Sequence, residues 1–342
     1  MERKEVLIKN IIIGNGQRIA IQSMTNTISS DYQSTISQVN KLKELGCDIV
    51  RISLPTLEAA NSLSGIIKNT DIPIVADVHF DYKIALQAII SGVHKLRINP
   101  SNFPHNYLSE VVHAAKTENI PIRVGVNRGS VHKFISNEQL AEYALSNVLL
   151  LEKMGFDNIV VSAKTSNVKD SIIVNNYLYN HTPYPIHIGL TEAGIGKFAE
   201  IKSIYSLSVL LNEGIGDTIR ISLTGNPERE VKLAQYLLRA AGKLDNFFEV
   251  VACPTCARTQ IDVEKISNFL ENKYENLNKN IKISIMGCSV NGIGEGLNSD
   301  IGICGGKDNS VLFLNGKKVK TVKNTEIEQV LVEVIDNFEE YN

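Results

Sequence analysis

A repeated pattern of short apolar runs and amphipathic stretches constrains the fold more than any other feature of this sequence. Before residue 242, eight runs rich in isoleucine and valine alternate with stretches in which apolar residues recur at three- and four-residue spacing. The runs cover residues 19–24, 48–53, 74–78, 95–99, 122–126, 158–164, 186–190 and 218–223. Strands that alternate with helices in this way pair in parallel, and eight such units close into a barrel. The sequence therefore predicts a (β/α)8 TIM barrel of the α/β class over residues 1–242.

The pattern changes after residue 244 and indicates a second, smaller domain. The predicted strands cover residues 247–252, 281–286 and 301–304, and the predicted helices cover residues 263–277 and 326–338. Between two further apolar runs lies Asn315-Gly316, a strong signal for a type I′ hairpin. We therefore predict an α+β domain over residues 243–342.

Cationic side chains occupy matching places on five of the eight predicted barrel strands. They are Arg51, Arg97, Arg123, Lys164 and Arg220. Apolar residues share one parity along these strands and polar residues the other, so we expect the cations on the inward face. Buried cations repel one another unless an anion joins them, and guanidinium groups match phosphate oxygens in bidentate geometry. The pattern favours a phosphorylated substrate at the C-terminal mouth of the barrel, and the alternative is internal salt bridges with Asp77, Glu192 and Asp217.

Other polar residues are predicted at the same mouth. Glu192 follows a strand and precedes a glycine, which suits a carboxylate that transfers a proton, although an N-cap or a salt bridge explains it nearly as well. Asn127 and Ser222 share the polar parity of their strands and are predicted to bind substrate. His187, between two isoleucines, equally fits a buried core histidine.

Cysteines and a carboxylate form a second candidate site. Cys253 and Cys256 make a C-x₂-C pair, and Cys288 and Glu295 follow about thirty residues later among glycines. Three thiolates suit an iron–sulfur centre with one iron open to an oxygen ligand, whereas a structural zinc site needs four closed ligands. The remaining alternative is three cysteines buried as small apolar residues. Cys47 and Cys304 are predicted to be packing residues.

Composition narrows the classes of partner and compartment. The net charge is −2, tryptophan is absent and aromatic residues make up 6%, so we expect no nucleic-acid partner. No apolar run is long enough to span a bilayer, and we predict a cytoplasmic protein without a membrane partner. Five cysteines, four of them in the last quarter of the chain, indicate reduced thiols and not a disulfide framework.

Several uncommon motifs resemble those of one enzyme family over nearly the whole chain. They are Gln22-Ser-Met-Thr-Asn-Thr27, Ala76-Asp-Val-His-Phe-Asp81, Leu96-Arg-Ile-Asn-Pro100, Gly125-Val-Asn127, Thr191-Glu-Ala-Gly194, Glu213-Gly-Ile-Gly-Asp217, Cys253-Pro-Thr-Cys256, Met286-Gly-Cys288 and Asn291-Gly-Ile-Gly-Glu295. The sequence resembles the 4-hydroxy-3-methylbut-2-enyl diphosphate synthase (IspG/GcpE) family, in its short two-domain bacterial form. Two stretches depart from the family pattern. Ile293 stands where proline is usual, and the residues after Gly194 differ, which affects loop conformation without removing an inferred ligand.

The resemblance implies a reaction and a cofactor. Family members open 2-C-methyl-D-erythritol 2,4-cyclodiphosphate reductively to (E)-4-hydroxy-3-methylbut-2-enyl diphosphate in the methylerythritol phosphate route to isoprenoids. By likeness, Cys253, Cys256, Cys288 and Glu295 hold a [4Fe–4S] cluster, and reduced flavodoxin or ferredoxin supplies electrons. Glu192 is then expected to donate the proton that turns the departing hydroxyl into water.

The resemblance also implies an assembly. In similar proteins a head-to-tail homodimer sets the cluster domain of one subunit over the barrel of the other, and Arg258 and Asn291 are expected to reach the partner's substrate. Two other classes stay open on the residues alone. One is a phosphate-binding barrel that uses zinc for hydrolysis or aldol chemistry, and the other is an iron–sulfur electron carrier or scaffold.

Overall fold

The chain divides into two compact units. A computed structural model describes residues 2–131, 135–245, 248–275, 277 and 279–341. Contacts within the chain group Met1–Leu244 into one unit and Asp245–Asn342 into the other. Each unit has its own apolar core.

The first unit begins with a β-hairpin that the sequence pattern did not predict. Its strands are β1 (Glu5–Ile8) and β2 (Ile11–Gly14), which pair antiparallel. Their buried residues Val6, Ile8 and Ile13 pack against apolar residues near the starts of four barrel strands. Those residues are Ala20, Ile49, Val75 and Val160. The hairpin therefore closes the N-terminal end of the barrel.

The barrel itself confirms the predicted α/β fold class. Among the described residues its strands are β3 (Ala20–Met24), β4 (Ile49–Ser53), β5 (Ile74–Asp77), β6 (Lys95–Ile98), β7 (Ile122–Asn127), β8 (Ile159–Lys164), β9 (His187–Ile188) and β10 (Thr218–Ile219). They pair in parallel in the order β8-β7-β6-β5-β4-β3-β10-β9. A parallel bridge between Val161 and Ile186 joins β8 to β9 and closes the ring. The last two strands are shorter than predicted, and Gly189 directly after β9 adopts a φ of +152°, which side chains disfavour.

Helices cover the outside of the barrel. They are α1 (Tyr32–Glu44), α2 (Leu57–Lys68), α3 (Tyr82–Ile90), α4 (His105–Thr117), α5 (Asn137–Lys153), α6 (Val168–His181), α7 (Gly196–Asn212) and α8 (Pro227–Ala240). Short 3₁₀ turns lie at Pro100–Asn102 and Arg128–Ser130. Side-chain caps fix several helix starts, as where the Asp31 carboxylate accepts a hydrogen bond from the Ser34 amide at 3.1 Å.

The second unit is the predicted α+β arrangement. Its elements are β11 (Phe248–Ala252), α9 (Val263–Tyr274), β12 (Ile281–Met286), α10 (Ser289–Leu297), β13 (Ile301–Cys304), β14 (Asn309–Leu314), β15 (Lys317–Lys323) and α11 (Ile327–Asp336), with 3₁₀ turns at Asn324–Glu326 and Phe338–Tyr341. The sheet order is β11-β12-β13-β14-β15. Asn315 and Gly316 both have positive φ, as the predicted type I′ hairpin requires. The predicted start of β11 at Phe247 lies outside the described residues.

One helix of this unit was not predicted. The Asn291-Gly-Ile-Gly-Glu295 stretch lies within α10, although glycine has low helix propensity. Gly292 and Gly296 are the buried residues of this helix, and they let its backbone lie directly on the sheet.

Among the described residues, no helix is both long enough and apolar enough to cross a membrane.

We expect the hairpin to contribute to the stability of the barrel. Ile8 is fully buried against the starts of the barrel strands, so Ile8→Ala should lower the free energy of unfolding by about 2–4 kcal/mol. Urea denaturation followed by circular dichroism measures this loss.

The neighbouring residue provides the control. Leu7 lies on the opposite face of β1 and is 56% exposed, so Leu7→Ala should change the free energy of unfolding by less than about 0.5 kcal/mol. Equal losses in the two variants would contradict a role for the hairpin as a packed closure.

Candidate active site

Six cationic side chains enter the interior of the barrel from its strands. They are Arg51 on β4, Lys95 and Arg97 on β6, Arg123 on β7, Lys164 on β8 and Arg220 just after β10. Arg97, Arg123 and Lys164 are buried, at 4%, 1% and 6% exposure. The structure therefore brings the five cations singled out from the sequence into the barrel interior, and it adds Lys95, which the sequence pattern missed.

Two buried carboxylates neutralise part of this charge. Asp77, at the end of β5, lies 3.0 Å from Arg97 Nη1 and 3.8 Å from Arg51 Nε. Burial alone would raise the pKa of Asp77, but Arg51, His79 and Arg97 together hold it well below its ordinary value. Asp77 is therefore ionised at neutral pH.

The second carboxylate comes from a helix. Glu230 of α8 is 4% exposed and lies 3.4 Å from Arg220 Nε. It also accepts hydrogen bonds from Ser23 Oγ at 3.2 Å and from the Leu223 amide at 3.0 Å. Strand parity cannot reveal such a residue, because it reaches the interior from a helix.

Asp217 and Glu192, which the sequence offered as salt-bridge partners, form no ion pair with the inward cations among the described residues. Asp217 accepts a hydrogen bond from the Ile186 amide at 2.6 Å at the start of β10, and burial raises its pKa. Glu192 is exposed, and no ion pair involves it among the described residues. Of the three proposed partners, only Asp77 pairs with the inward cations.

The remaining cations are short of partners. Nε and Nη2 of Arg123 are buried without a hydrogen-bond partner in the part of the chain that the structure describes. Burial, followed by the charges of Arg51 and Arg97, lowers the pKa of Arg123 well below its ordinary value. Burial and the charge of Arg123 do the same to the pKa of Lys164. An anion bound in this cavity would relieve both the unmet hydrogen bonds and the repulsion.

Two inward-facing glycines make room for the cations. The Arg97 guanidinium lies over Gly125 and donates a hydrogen bond to its carbonyl oxygen at 3.0 Å. Lys164 Nζ lies 3.0 Å from the place that a β-carbon at Gly189 would occupy. Met24 adds a third support, since its sulfur lies 2.9 Å from Arg51 Nη2 and 3.4 Å from Arg220 Nη1.

Glu192 lies at the mouth of the barrel. It has a φ of +52°, uncommon for a residue with a side chain, and its carboxylate lies above Gly129. Asn127 ends β7 and Ser222 follows β10, and both are partly buried. His187 is fully buried, with Nδ1 2.7 Å from Thr218 Oγ1, and is therefore a core histidine.

The cysteine site is built at the ends of two adjacent parallel strands. Cys253 directly follows β11, and its sulfur accepts a hydrogen bond from the Gly287 amide at 3.2 Å. Cys288 follows β12 and precedes α10. The Cys256 amide donates to Thr259 Oγ1 at 3.1 Å, which holds the loop after Cys253 in a turn. Both cysteine groups therefore lie just past strand ends.

Glu295 lies on α10, the helix that begins directly after Cys288. It is partly buried, Cys256 is exposed, and all five cysteines are free thiols. Among the described residues, no three His, Cys, Asp or Glu side chains are grouped closely enough to hold a single metal ion. Cys304 is buried beside Gly292, in keeping with a packing residue. Arg258 and Asn291 are exposed on this unit.

Comparisons with known proteins match both units. A family model described as the GcpE TIM-barrel domain matches residues 3–235, and the GcpE protein C-terminal domain matches residues 249–337. The chain belongs to the GcpE family. The two family-model matches therefore confirm the resemblance that the sequence motifs indicated.

Relatives in this family match the chain over nearly its full length. A protein of Clostridium acetobutylicum named 4-hydroxy-3-methylbut-2-en-1-yl diphosphate synthase (flavodoxin) is 46% identical over 98% of this chain and 99% of its own. A protein of the same name from Caldanaerobacter subterraneus subsp. tengcongensis is 45% identical, over 97% of this chain and 96% of its own.

Some solved structures resemble this chain in fold alone. A dihydropteroate synthase of Yersinia pestis has a TM-score of 0.53 at 10% identity, covering 70% of this chain and 98% of its own. One from Coxiella burnetii has a TM-score of 0.51 at 13% identity, with 70% and 97% covered. At these identities the likeness supports the fold and carries no statement about substrate.

We expect the cation site to depend on the space above Gly125. In Gly125→Ala the new β-carbon would lie 3.1 Å from Arg97 Cζ, so the guanidinium must move. Binding of inorganic pyrophosphate, measured by isothermal titration calorimetry, should weaken by about 10- to 100-fold through the loss of a charged hydrogen bond.

Gly65→Ala is the matched control. A β-carbon at Gly65 meets only Tyr32 Cδ2, at an ordinary 3.9 Å, so pyrophosphate affinity should be unchanged. Wild-type affinity in Gly125→Ala would show that Arg97 does not bind the anion.

Proposed function

We propose that this protein is a 4-hydroxy-3-methylbut-2-en-1-yl diphosphate synthase, an oxidoreductase of isoprenoid biosynthesis. Its reaction takes 2-C-methyl-D-erythritol 2,4-cyclodiphosphate, two electrons and two protons to (E)-4-hydroxy-3-methylbut-2-enyl diphosphate and water. The observation that carries this proposal is the excess of buried cations inside the barrel, with Arg123 Nε and Nη2 lacking hydrogen-bond partners among the described residues, in a chain that is 46% identical to a protein of that name. We assign substrate binding to residues 1–242 and the cluster to residues 243–342.

The barrel is proposed to hold the diphosphate. Arg123 and Lys164 lack carboxylate partners among the described residues, and Arg51, Arg97 and Arg220 share only two. A cyclic diphosphate brings two negative charges and several acceptor oxygens, which match this excess. Asn127 and Ser222, above the cations, would bind the polyol part by neutral hydrogen bonds.

The C-terminal unit is proposed to hold a [4Fe–4S] cluster through Cys253, Cys256, Cys288 and Glu295. The ligands of a cluster attach to different iron atoms, so a cluster does not require these four side chains to meet at one ion. The amide hydrogen bond from Gly287 to the Cys253 sulfur is of the kind that tunes such clusters. When bound, the cluster supplies electrons one at a time, and its oxygen-ligated iron provides an exchangeable position.

Protons must come from the protein or from water. Glu192 is proposed to deliver the proton that converts the departing hydroxyl into water, because it is the carboxylate that the loop after β9 places at the mouth. Arg258 and Asn291 are proposed to contact substrate across a head-to-tail homodimer, in which each site takes its barrel and its cluster from different subunits.

The electron donor is proposed to be reduced flavodoxin or ferredoxin, and the relatives carry flavodoxin in their names. We also propose a cytoplasmic location, because five free thiols suit a reducing compartment.

The two alternative functions, a zinc-dependent barrel enzyme and an iron–sulfur electron carrier, find no support in the names of these relatives. Iron, sulfide and zinc analysis after anaerobic purification separates them, and about four irons per chain are expected.

Activity and the role of Glu192 can be tested together. The reconstituted protein, given a chemical reductant, should convert the cyclic diphosphate to the allylic diphosphate, and Glu192→Gln should lower turnover roughly 100-fold or more because general-acid catalysis is lost. Product formation is followed by phosphorus NMR.

Glu213→Gln is the control, since Glu213 is an exposed carboxylate at the far end of α7. It should leave turnover unchanged. No conversion by the wild-type protein would remove the proposed activity, whereas unchanged turnover in Glu192→Gln would remove only the assigned proton donor.

The position of Glu295 should depend on close packing of α10. In Gly296→Ala a β-carbon would lie 2.7 Å from Phe313 Cδ2, so α10 must move away from the sheet and take Glu295 with it. We expect a loss of about 1–3 kcal/mol in the free energy of unfolding and fewer irons retained per chain.

Gly294→Ala offers a matched comparison in the same helix. No atom lies within 4 Å of its β-carbon position, so iron content should equal that of the wild type. If Gly296→Ala also retained full iron, the position of α10 would have no part in holding the cluster.

A further inference from the structure

Lys95 is a buried cation that the proposed binding scheme does not use. It lies on β6, one inward position before Arg97, and is fully buried. Its ammonium lies 3.5 Å from Gln22 Oε1, at the limit of a hydrogen bond. In the described part of the chain no carboxylate pairs with it. Lys95 therefore has no countercharge of its own.

The charges of Arg123 and Arg51 act on Lys95. Charged and titratable groups reach the barrel interior from most of its strands. They are Arg51 on β4, Asp77 on β5, Arg97 on β6, Arg123 on β7, Lys164 on β8, His187 on β9, and Arg220 after β10 with its partner Glu230 of α8. The two carboxylates already pair with arginines. Without a bound anion, the surroundings of Lys95 are thus strongly positive.

Arginine and lysine respond differently to such surroundings. A guanidinium group stays protonated in proteins, whereas a buried lysine gives up its proton when its charged form is disfavoured. Burial, followed by the charges of Arg123 and Arg51, lowers the pKa of Lys95 well below its ordinary value. The interior can therefore reduce its repulsion by releasing the Lys95 proton.

A bound dianion changes this balance. We propose that the barrel binds its diphosphate substrate together with a proton, and that Lys95 accepts that proton. The inference rests on the proposed function for the identity of the anion. Each phosphorus of the cyclic diphosphate carries one strongly acidic hydroxyl, so the ligand does not itself titrate near neutral pH. Any linked proton then belongs to the protein.

This linkage gives the affinity a definite pH dependence. Substrate raises the pKa of Lys95, so the contribution of the charged lysine is complete below the pKa of the free barrel. It is lost as pH rises through the pKa of the complex. Within that window the affinity should fall about tenfold per pH unit for each proton taken up.

Calorimetry on the reconstituted holoprotein tests the proposal. The cyclic diphosphate is titrated anaerobically without reductant, in two buffers of equal pH and different enthalpies of ionisation. The difference in observed heat should correspond to uptake of roughly one proton or more per site. Lys95→Met should take up about one proton fewer than the wild type.

Two further variants complete the experiment. Lys116→Met removes an exposed lysine of α4 and should leave proton uptake unchanged. Lys95→Arg keeps a permanent charge, so it should bind with one proton fewer even if Lys95→Met fails to fold.

The outcomes separate this inference from the proposed function. Equal heats in both buffers, with substrate bound, would overturn the inference alone. Undiminished uptake in both Lys95 variants would overturn the assignment to Lys95. Failure of the cyclic diphosphate to bind would overturn the proposed function, and the inference with it.

Discussion

Repulsion among cations inside the barrel is the constraint on which the rest of this structure depends. Arg97, Arg123 and Lys164 are all nearly buried, and among the described residues two carboxylates pair with the inward arginines. Burying a charge without a partner is among the most costly arrangements in a protein interior. A fold that keeps such an arrangement gives up stability in the free state and recovers it when an anion binds. The interior is thus preorganised for an anion.

Both units contain glycines whose missing side chains allow close contacts. In the barrel, the missing side chains of Gly125 and Gly189 leave room for Arg97 and Lys164. In the second unit, a β-carbon at Gly302 would lie 2.7 Å from the Gly296 α-carbon, so the backbone of α10 lies directly on the sheet at this point. In each unit, glycines allow a close approach that any side chain at those positions would prevent.

Much of the barrel could be predicted from the sequence, because the period of apolar residues reports directly on strands and helices. Strand parity also pointed to the inward cations. The hairpin was missed because its strands have four residues each and its turn, at Lys9 and Asn10, lacks glycine. Helix α10 was missed because its glycines look like a loop until the sheet beneath them is known. Glu230 needed tertiary structure, since a helix residue shows no parity with a barrel strand.

The hairpin that closes the N-terminal end of the barrel also sets a sequence of events. With Val6, Ile8 and Ile13 packed across that end, the described part of the chain leaves the C-terminal mouth as the route for an anion to reach the cations. Anything that covers the mouth must therefore arrive after the substrate and leave before the product. Under the proposed function, a segment of ten residues remote from the chemistry would make binding and release ordered steps.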